Sequence, residues 1–159
     1  MKLLLKNVIF TLVVPGTVAI YIPSIIAHSR ETNTSPFLFV AGVTLLVLGI
    51  VIYLWTVWDF AKSGRGTPLP VDAPKMLVVR GLYSYTRNPM YLGVITVILG
   101  WAVLFSDSWL LLYALGIWVS THLFVVLYEE PSLTKLFGSE YEKYRQRVSR
   151  WIPMRWRFR

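Results

Sequence analysis

Four apolar runs, Val8–Ala27, Phe37–Trp58, Met90–Phe105 and Trp109–Tyr128, leave this chain few ways to fold. The first, second and fourth hold 20, 22 and 20 residues. At about 1.5 Å of helical rise per residue, each can cross a hydrocarbon core of ~30 Å. The third holds 16, about 24 Å of helix, so it must borrow flanking residues or stand where the bilayer is thin. Of the 159 residues 55% are apolar, and the mean hydropathy is +0.56; a soluble domain holds roughly 45–50%. The expectation is an all-α integral membrane protein, a single domain over 1–159. Its spans are about 8–27, 37–58, 89–105 and 109–128, leaving no room for a separate soluble domain.

Lys2 and Lys6 precede the first run, as in a signal peptide, but its apolar stretch exceeds a typical h-region of ~7–15 residues and no A-x-A site follows. It reads as a true span. Pro15, Gly16 and Pro23 predict a kink within it, tolerated where neighbouring helices re-satisfy the backbone. The loop after it carries Arg30 balanced by Glu31, and Ser106-Asp107-Ser108 joins runs three and four without a cation. The other 15 of 16 Lys and Arg fall in the N-terminus, the 59–88 loop and the C-terminal tail. The positive-inside rule therefore makes those three segments cytoplasmic, with both termini on one side of a multi-pass membrane protein, a bacterial-type inner membrane being the expected setting. Attraction to anionic head groups accounts for the +8 net charge without nucleic acid.

The 59–88 loop is turn-rich, with Gly64, Gly66, Pro68, Pro70 and Pro74. Leu77-Val78-Val79 and Leu82 are apolar enough to dock it on the bundle. After the fourth run, Leu133, Leu136, Phe137, Tyr141, Tyr144, Val148 and Trp151 recur at steps of three or four, with Lys143, Arg145, Arg147 and Arg150 off the stripe. That pattern predicts an amphipathic helix over 131–150, lying in the interface or covering a pocket beneath it, with Pro131 in its first turn and Glu129 and Glu130 at its start.

There is no cysteine and only His28 and His122, so no metal site is expected. Ionisable groups beside hydrocarbon usually have a reason. Here they gather at one face: Arg80, Arg87 and Asn88 before the third run, Glu129 and Glu130 after the fourth. A three-residue connection makes those runs an antiparallel hairpin, which brings Arg87-Asn88 beside Glu129-Glu130. A structural ion pair capping the hairpin is one reading, a binding site the other. His122, mid-span, suits an interhelical hydrogen bond. The tyrosines and tryptophans suit an aromatic belt. Gly64-Arg65-Gly66 is too short for a phosphate loop and follows no strand.

The stretch "GLYSYTRNPMYLG", a short helical hairpin, then "EEPSL", "FGSEYEKY" and a basic stretch leading to Ile152-Pro153 closely resemble the isoprenylcysteine carboxyl methyltransferase and phospholipid methyltransferase superfamily. The resemblance runs from about Gly66 to Pro153. Asn88 stands where the family usually has histidine. The resemblance implies S-adenosylmethionine held on the cytoplasmic side, with a tunnel open to the bilayer for a lipid-like or hydrophobic acceptor. It marks Arg87 and Glu130 as catalytic, and Asn88, Pro89, Tyr91, Gly93, Glu129, Leu133, Tyr141 and Tyr144 as cofactor-binding. A homodimer is possible, the chain being short for the family. The first motif also occurs in related sterol reductases, which leaves an NADPH-dependent membrane reductase as one alternative. A non-catalytic basic protein binding anionic lipid is the other.

Overall fold

The computed structural model describes residues 2–28, 35–63 and 76–153. Arg30, Glu31 and the Gly/Pro-rich middle of the 59–88 loop lie outside them. Within the described residues the regular structure is helical, apart from one isolated parallel bridge between Thr86 and Ser149. Helix α1 (Lys2–Gly16) passes through a π-helical turn (Thr17–Tyr21) into α2 (Ile22–His28). Then come α3 (Pro36–Ser63), a 3₁₀ turn (Gly81–Ser84), α4 (Pro89–Phe105) and α5 (Ser108–Phe124). A second π-helical turn (Val125–Glu129) leads into α6 (Glu130–Phe137), followed by α7 (Ser139–Arg147).

Among the described residues three stretches are long and apolar enough to cross a membrane: Ile9–Ala27, Pro36–Phe60 and Ser108–Phe137. Helix α4, at 17 residues, is shorter. It is nevertheless the centre of the bundle, touching α2, α3, α5 and the first π turn, with Ile98 fully buried. The outer faces of the long helices expose Leu12, Val13, Val40, Val47, Val51, Leu111, Leu115 and Leu127. A surface so continuously apolar suits lipid rather than water.

Glycines set the spacing of α3 and α4. A Cβ on Gly42 would stand 2.7 Å from Leu104 N, on Gly49 2.7 Å from Val97 N, on Gly93 2.9 Å from Tyr53 N, and on Gly100 2.8 Å from Leu46 N. These antiparallel pairings put two glycines seven residues apart on each helix, so the backbones close on each other where lipid supplies no hydrophobic drive.

Both π turns answer a proline. A proline clashes with the carbonyl four residues back and donates no N–H; for Pro23 and Pro131 those carbonyls belong to Ala19 and Leu127, each inside a π turn. In the first turn Ile22 N–H reaches back to Thr17, and the next residue, Pro23, has no N–H, so the Val18 carbonyl loses its helical partners. Tyr113 Oη supplies the missing donor at 2.9 Å, tying α5 to that turn. Tyr53 Oη ties α3 to α1 through Thr11 at 3.0 Å.

The C-terminal region differs from the expected helix over 131–150. The helix that begins at Ser108 continues to Phe137, because the π turn absorbs Pro131, and Gly138 at φ +51° then breaks it before α7. Tyr141, Tyr144 and Val148 are buried with Leu77, Leu133 and Phe137 against them, while Leu136 stays exposed. Leu77 and Val78 dock as expected; Val79 remains outside.

Candidate functional site

The hairpin of α4 and α5 delivers its two ionic ends to one place. Arg87 Nη1 donates to Glu130 Oε1 at 2.9 Å. The carboxylate is shared: Arg150 Nε reaches Oε1 at 2.6 Å and Nη2 reaches Oε2 at 3.0 Å. Glu130 is therefore an anion between two guanidinium groups, its charge balanced locally. Glu129, one residue earlier and still in the π turn, turns to Tyr91, whose phenol donates to Oε2 at 3.0 Å.

Beside this cluster is a cavity of about 510 Å³, within the range of small-molecule sites. Its polar end is formed by Arg87, Asn88, Tyr91, Glu129 and Glu130, with Tyr83, Tyr141 and Tyr144 around them. Its apolar wall comes from Phe10 and Val14 of α1, Phe60 of α3, Leu77 and Val78, and Phe124, Val125 and Tyr128 of α5 and the π turn. Phe124 and Tyr128 stack at 5.2 Å and are exposed on the outer face, so this wall reaches the apolar surface of the bundle.

Behind the polar end one donor is closed off from the cavity. The Arg87 side chain is 10% exposed, yet its Nε has no hydrogen-bond partner among the described residues. Burial, reinforced by Glu129, raises the Tyr83 phenol above its ordinary value near 10. Burial likewise raises Tyr144, with Tyr141 adding to it, and raises Tyr141 with Glu130 adding. These phenols remain protonated at any physiological pH. Tyr144 donates to the Tyr83 carbonyl at 2.7 Å, which fixes α7 over the 3₁₀ turn. The hydrogen bond to Glu130 raises the Arg150 guanidinium still further above neutrality.

Of the residues marked by resemblance, Arg87, Asn88, Tyr91, Glu129, Glu130, Leu133, Tyr141 and Tyr144 line the cavity. Pro89 and Gly93 do not. Pro89 is the first residue of α4, where a missing N–H is harmless; Gly93 faces the backbone of Tyr53 in the α3 seam. Asn88 N-caps α4 without a side-chain cap and instead donates from Nδ2 to the Arg150 carbonyl at 3.1 Å. His122 Nδ1 accepts from the Trp151 indole at 2.9 Å, so its bond goes to the tail rather than to a neighbouring helix. Arg150 and Trp151 were visible only as a basic residue off a stripe and the last member of that stripe; their ties to Glu130 and His122 follow from the extended backbone after Arg147.

The phospholipid methyltransferase family pattern matches residues 37–140, which includes the α4–α5 hairpin and both glutamates. The chain belongs to that family. It is 41% identical over 75 residues to methanethiol S-methyltransferase 1 of Bradyrhizobium diazoefficiens, a match covering 46% of this chain and 25% of the relative. It is 35% identical over 80 residues to protein-S-isoprenylcysteine O-methyltransferase of Schizosaccharomyces pombe, covering 50% of this chain and 34% of that protein. An uncharacterized Haemophilus influenzae protein is 32% identical over 63 residues, 40% of this chain and 100% of the relative. The match thus spans about a quarter and a third of the two named relatives. No solved structure matches. Family membership and three long apolar helices together make this an integral membrane protein.

Proposed function

We propose that the chain transfers a methyl group from S-adenosylmethionine to a hydrophobic acceptor at the cytoplasmic membrane face. The observation that carries this reading is a cavity whose polar end offers both signs of charge and whose other wall is apolar and reaches the apolar outer surface. The fit to the cofactor rests on charge. Its amino-acid end bears a carboxylate and an ammonium, and its sulfonium a further positive charge. Arg87, which lines the cavity and makes a single bond to Glu130, suits the carboxylate. Glu129, oriented by Tyr91, suits a cationic group. The faces of Tyr83, Tyr141 and Tyr144 favour positive charge as well.

When bound, the cofactor supplies a methyl group activated by its sulfonium. The chain's contribution is orientation and exclusion of water, which suffice for in-line displacement. Phe10, Val14, Phe124 and Val125 would hold the acceptor's apolar part. Glu129 would take the proton released by a thiol or amine, whereas a carboxylate acceptor releases none. The named relatives act on a thiol and on an isoprenylcysteine, and the family name points to phospholipid; acceptors of these three kinds are the candidates here. Glu130, neutralised by Arg87 and Arg150, orients Arg87 in this scheme.

In the same reading α4 is a fourth, short span, both termini face the cytoplasm, and exposed Lys135, Lys143, Arg145 and Arg147 meet anionic head groups. Pairing of two copies would cover part of the apolar outer face. The test is a transfer assay with trideuteromethyl-labelled S-adenosylmethionine and the protein in nanodiscs, offering in turn an alkyl thiol, an S-farnesylcysteine derivative and phosphatidylethanolamine. A mass gain in at least one acceptor is expected, lost in Glu129→Gln where that acceptor is the thiol or the amine. No label in any of them would overturn the reading.

A further inference from the structure

Helix α7 ends at Arg147 and Val148 is extended, so the chain leaves the amphipathic stripe and runs beside Thr86–Asn88. Three donors of that tripeptide take up two carbonyls: Arg87 N to Ser149 O at 2.9 Å, and Thr86 Oγ1 and Asn88 Nδ2 to Arg150 O at 3.0 and 3.1 Å. Beyond them Trp151 donates its indole N–H to His122 Nδ1 at 2.9 Å, with Trp118 stacked on the imidazole at 5.6 Å. An indole nitrogen only donates, so this His122 nitrogen carries no proton. The segment is thereby pinned twice on the α5–α6 helix, at Glu130 by Arg150 and at His122 by Trp151.

This arrangement decides what Arg87 can do. Arg150 takes both oxygens of Glu130, so Arg87 makes a single bond to it instead of a two-pronged fork. Arg87 lines the cavity, and the part of its guanidinium that this single bond does not use stays out of the pair with Glu130. Buried ion clusters contribute little net stability, because desolvation offsets the attraction. Holding one arginine in one geometry is a better account of three charges in this place.

We propose that residues 148–151 form a strap that keeps Arg87 free to receive a ligand carboxylate, with Arg150, Trp151 and His122 as its positioning residues. The ligand half of this rests on the reading above that the cavity takes a cofactor with an amino-acid end.

Two arms test it in the full chain in detergent. In the first, trypsin cleavage of the Arg150–Trp151 bond is followed by mass spectrometry. His122→Leu, which leaves the cleavage sequence untouched, is expected to raise the rate about fivefold, the equivalent of one hydrogen bond. An unchanged rate would overturn the strap. In the second, S-adenosylhomocysteine and adenosine are titrated against wild type, Trp151→Phe, Arg150→Gln and Arg150→Lys. Trp151→Phe is expected to weaken S-adenosylhomocysteine about fivefold and Arg150→Gln about tenfold or more, with Arg150→Lys between Gln and wild type; adenosine, which lacks the carboxylate, should shift less than about twofold. Equal losses for both ligands would mean general loosening and overturn the positioning role. Wild type that binds no S-adenosylhomocysteine would overturn the cofactor reading and this ligand arm with it, while the cleavage arm still decides the strap.

Discussion

The phenol of Tyr91, in the first turn of α4, donates to Glu129 Oε2 across 3.0 Å and so aims that carboxylate at the cavity. Glu130, the next residue, is committed to Arg87 and Arg150. Replacing the first glutamate should therefore damage chemistry and leave the fold intact. Glu129→Gln is expected to lower methyl transfer to a thiol or amine by roughly 10²-fold or more, the scale of a lost proton acceptor. Tyr91→Phe should cost about fivefold, the worth of one orienting hydrogen bond. Both should melt within a few degrees of wild type, as followed by thermal unfolding in detergent.

Glu130 predicts a loss of stability along with the loss of activity. Removing its charge leaves two guanidinium groups facing each other, and Arg87 is almost wholly buried while Arg150 is about a third exposed. Breaking such a cluster should destabilise Glu130→Ala by on the order of 2–3 kcal/mol, discounted for the exposure of Arg150. Chemical denaturation in detergent measures it. A loss of activity without any loss of stability would be the wrong result.

The α3–α4 seam predicts a contrast among glycines. A side chain at Gly93 or Gly49 has to displace backbone atoms under 3 Å away. Gly93→Val should destabilise by about 1–3 kcal/mol through overpacking. Gly116, on α5, has nothing within 4 Å of its Cβ position. There Gly116→Ala should be neutral or stabilise by up to about 1 kcal/mol, the helix propensity difference. Melting of the two variants side by side checks both signs.

Gly81 meets two separate obstacles. Its φ is +57°, and an added Cβ would overlap Asp59 Oδ2 of α3. Gly81→Ala should misplace the turn carrying Tyr83, lowering stability by about 2 kcal/mol or more. Adding Asp59→Ala should recover the steric part but leave the φ penalty of about 1 kcal/mol. Full recovery in the double variant would mean that backbone conformation plays no part.

The hairpin, and with it the meeting of Arg87 with the glutamates, was legible because a three-residue connection between apolar runs allows little else. Topology could not tell Glu129 from Glu130, since that choice depends on the winding of the π turn ahead of Pro131. The tail misled for a related reason. Residues spaced by three and four continue past Gly138, so the pattern spans a break that only the backbone at Gly138 reveals. Beyond Arg147 the helical spacing no longer governs direction, and Arg150, read as a cation off the apolar stripe, folds back onto Glu130. The glycine seam was present in the sequence as two pairs seven residues apart, but it acquires meaning only when the two helices are set side by side.

The most direct measurement is where a light-activated azidoadenosyl analogue of S-adenosylmethionine attaches to the protein in nanodiscs. Label is expected on peptides covering 77–91 and 124–144, competed away by S-adenosylhomocysteine and reduced in Arg87→Ala. Competed label found only on peptides that line no part of the cavity, or equal labelling of Arg87→Ala, would contradict a cofactor held at the meeting of α4 and α5.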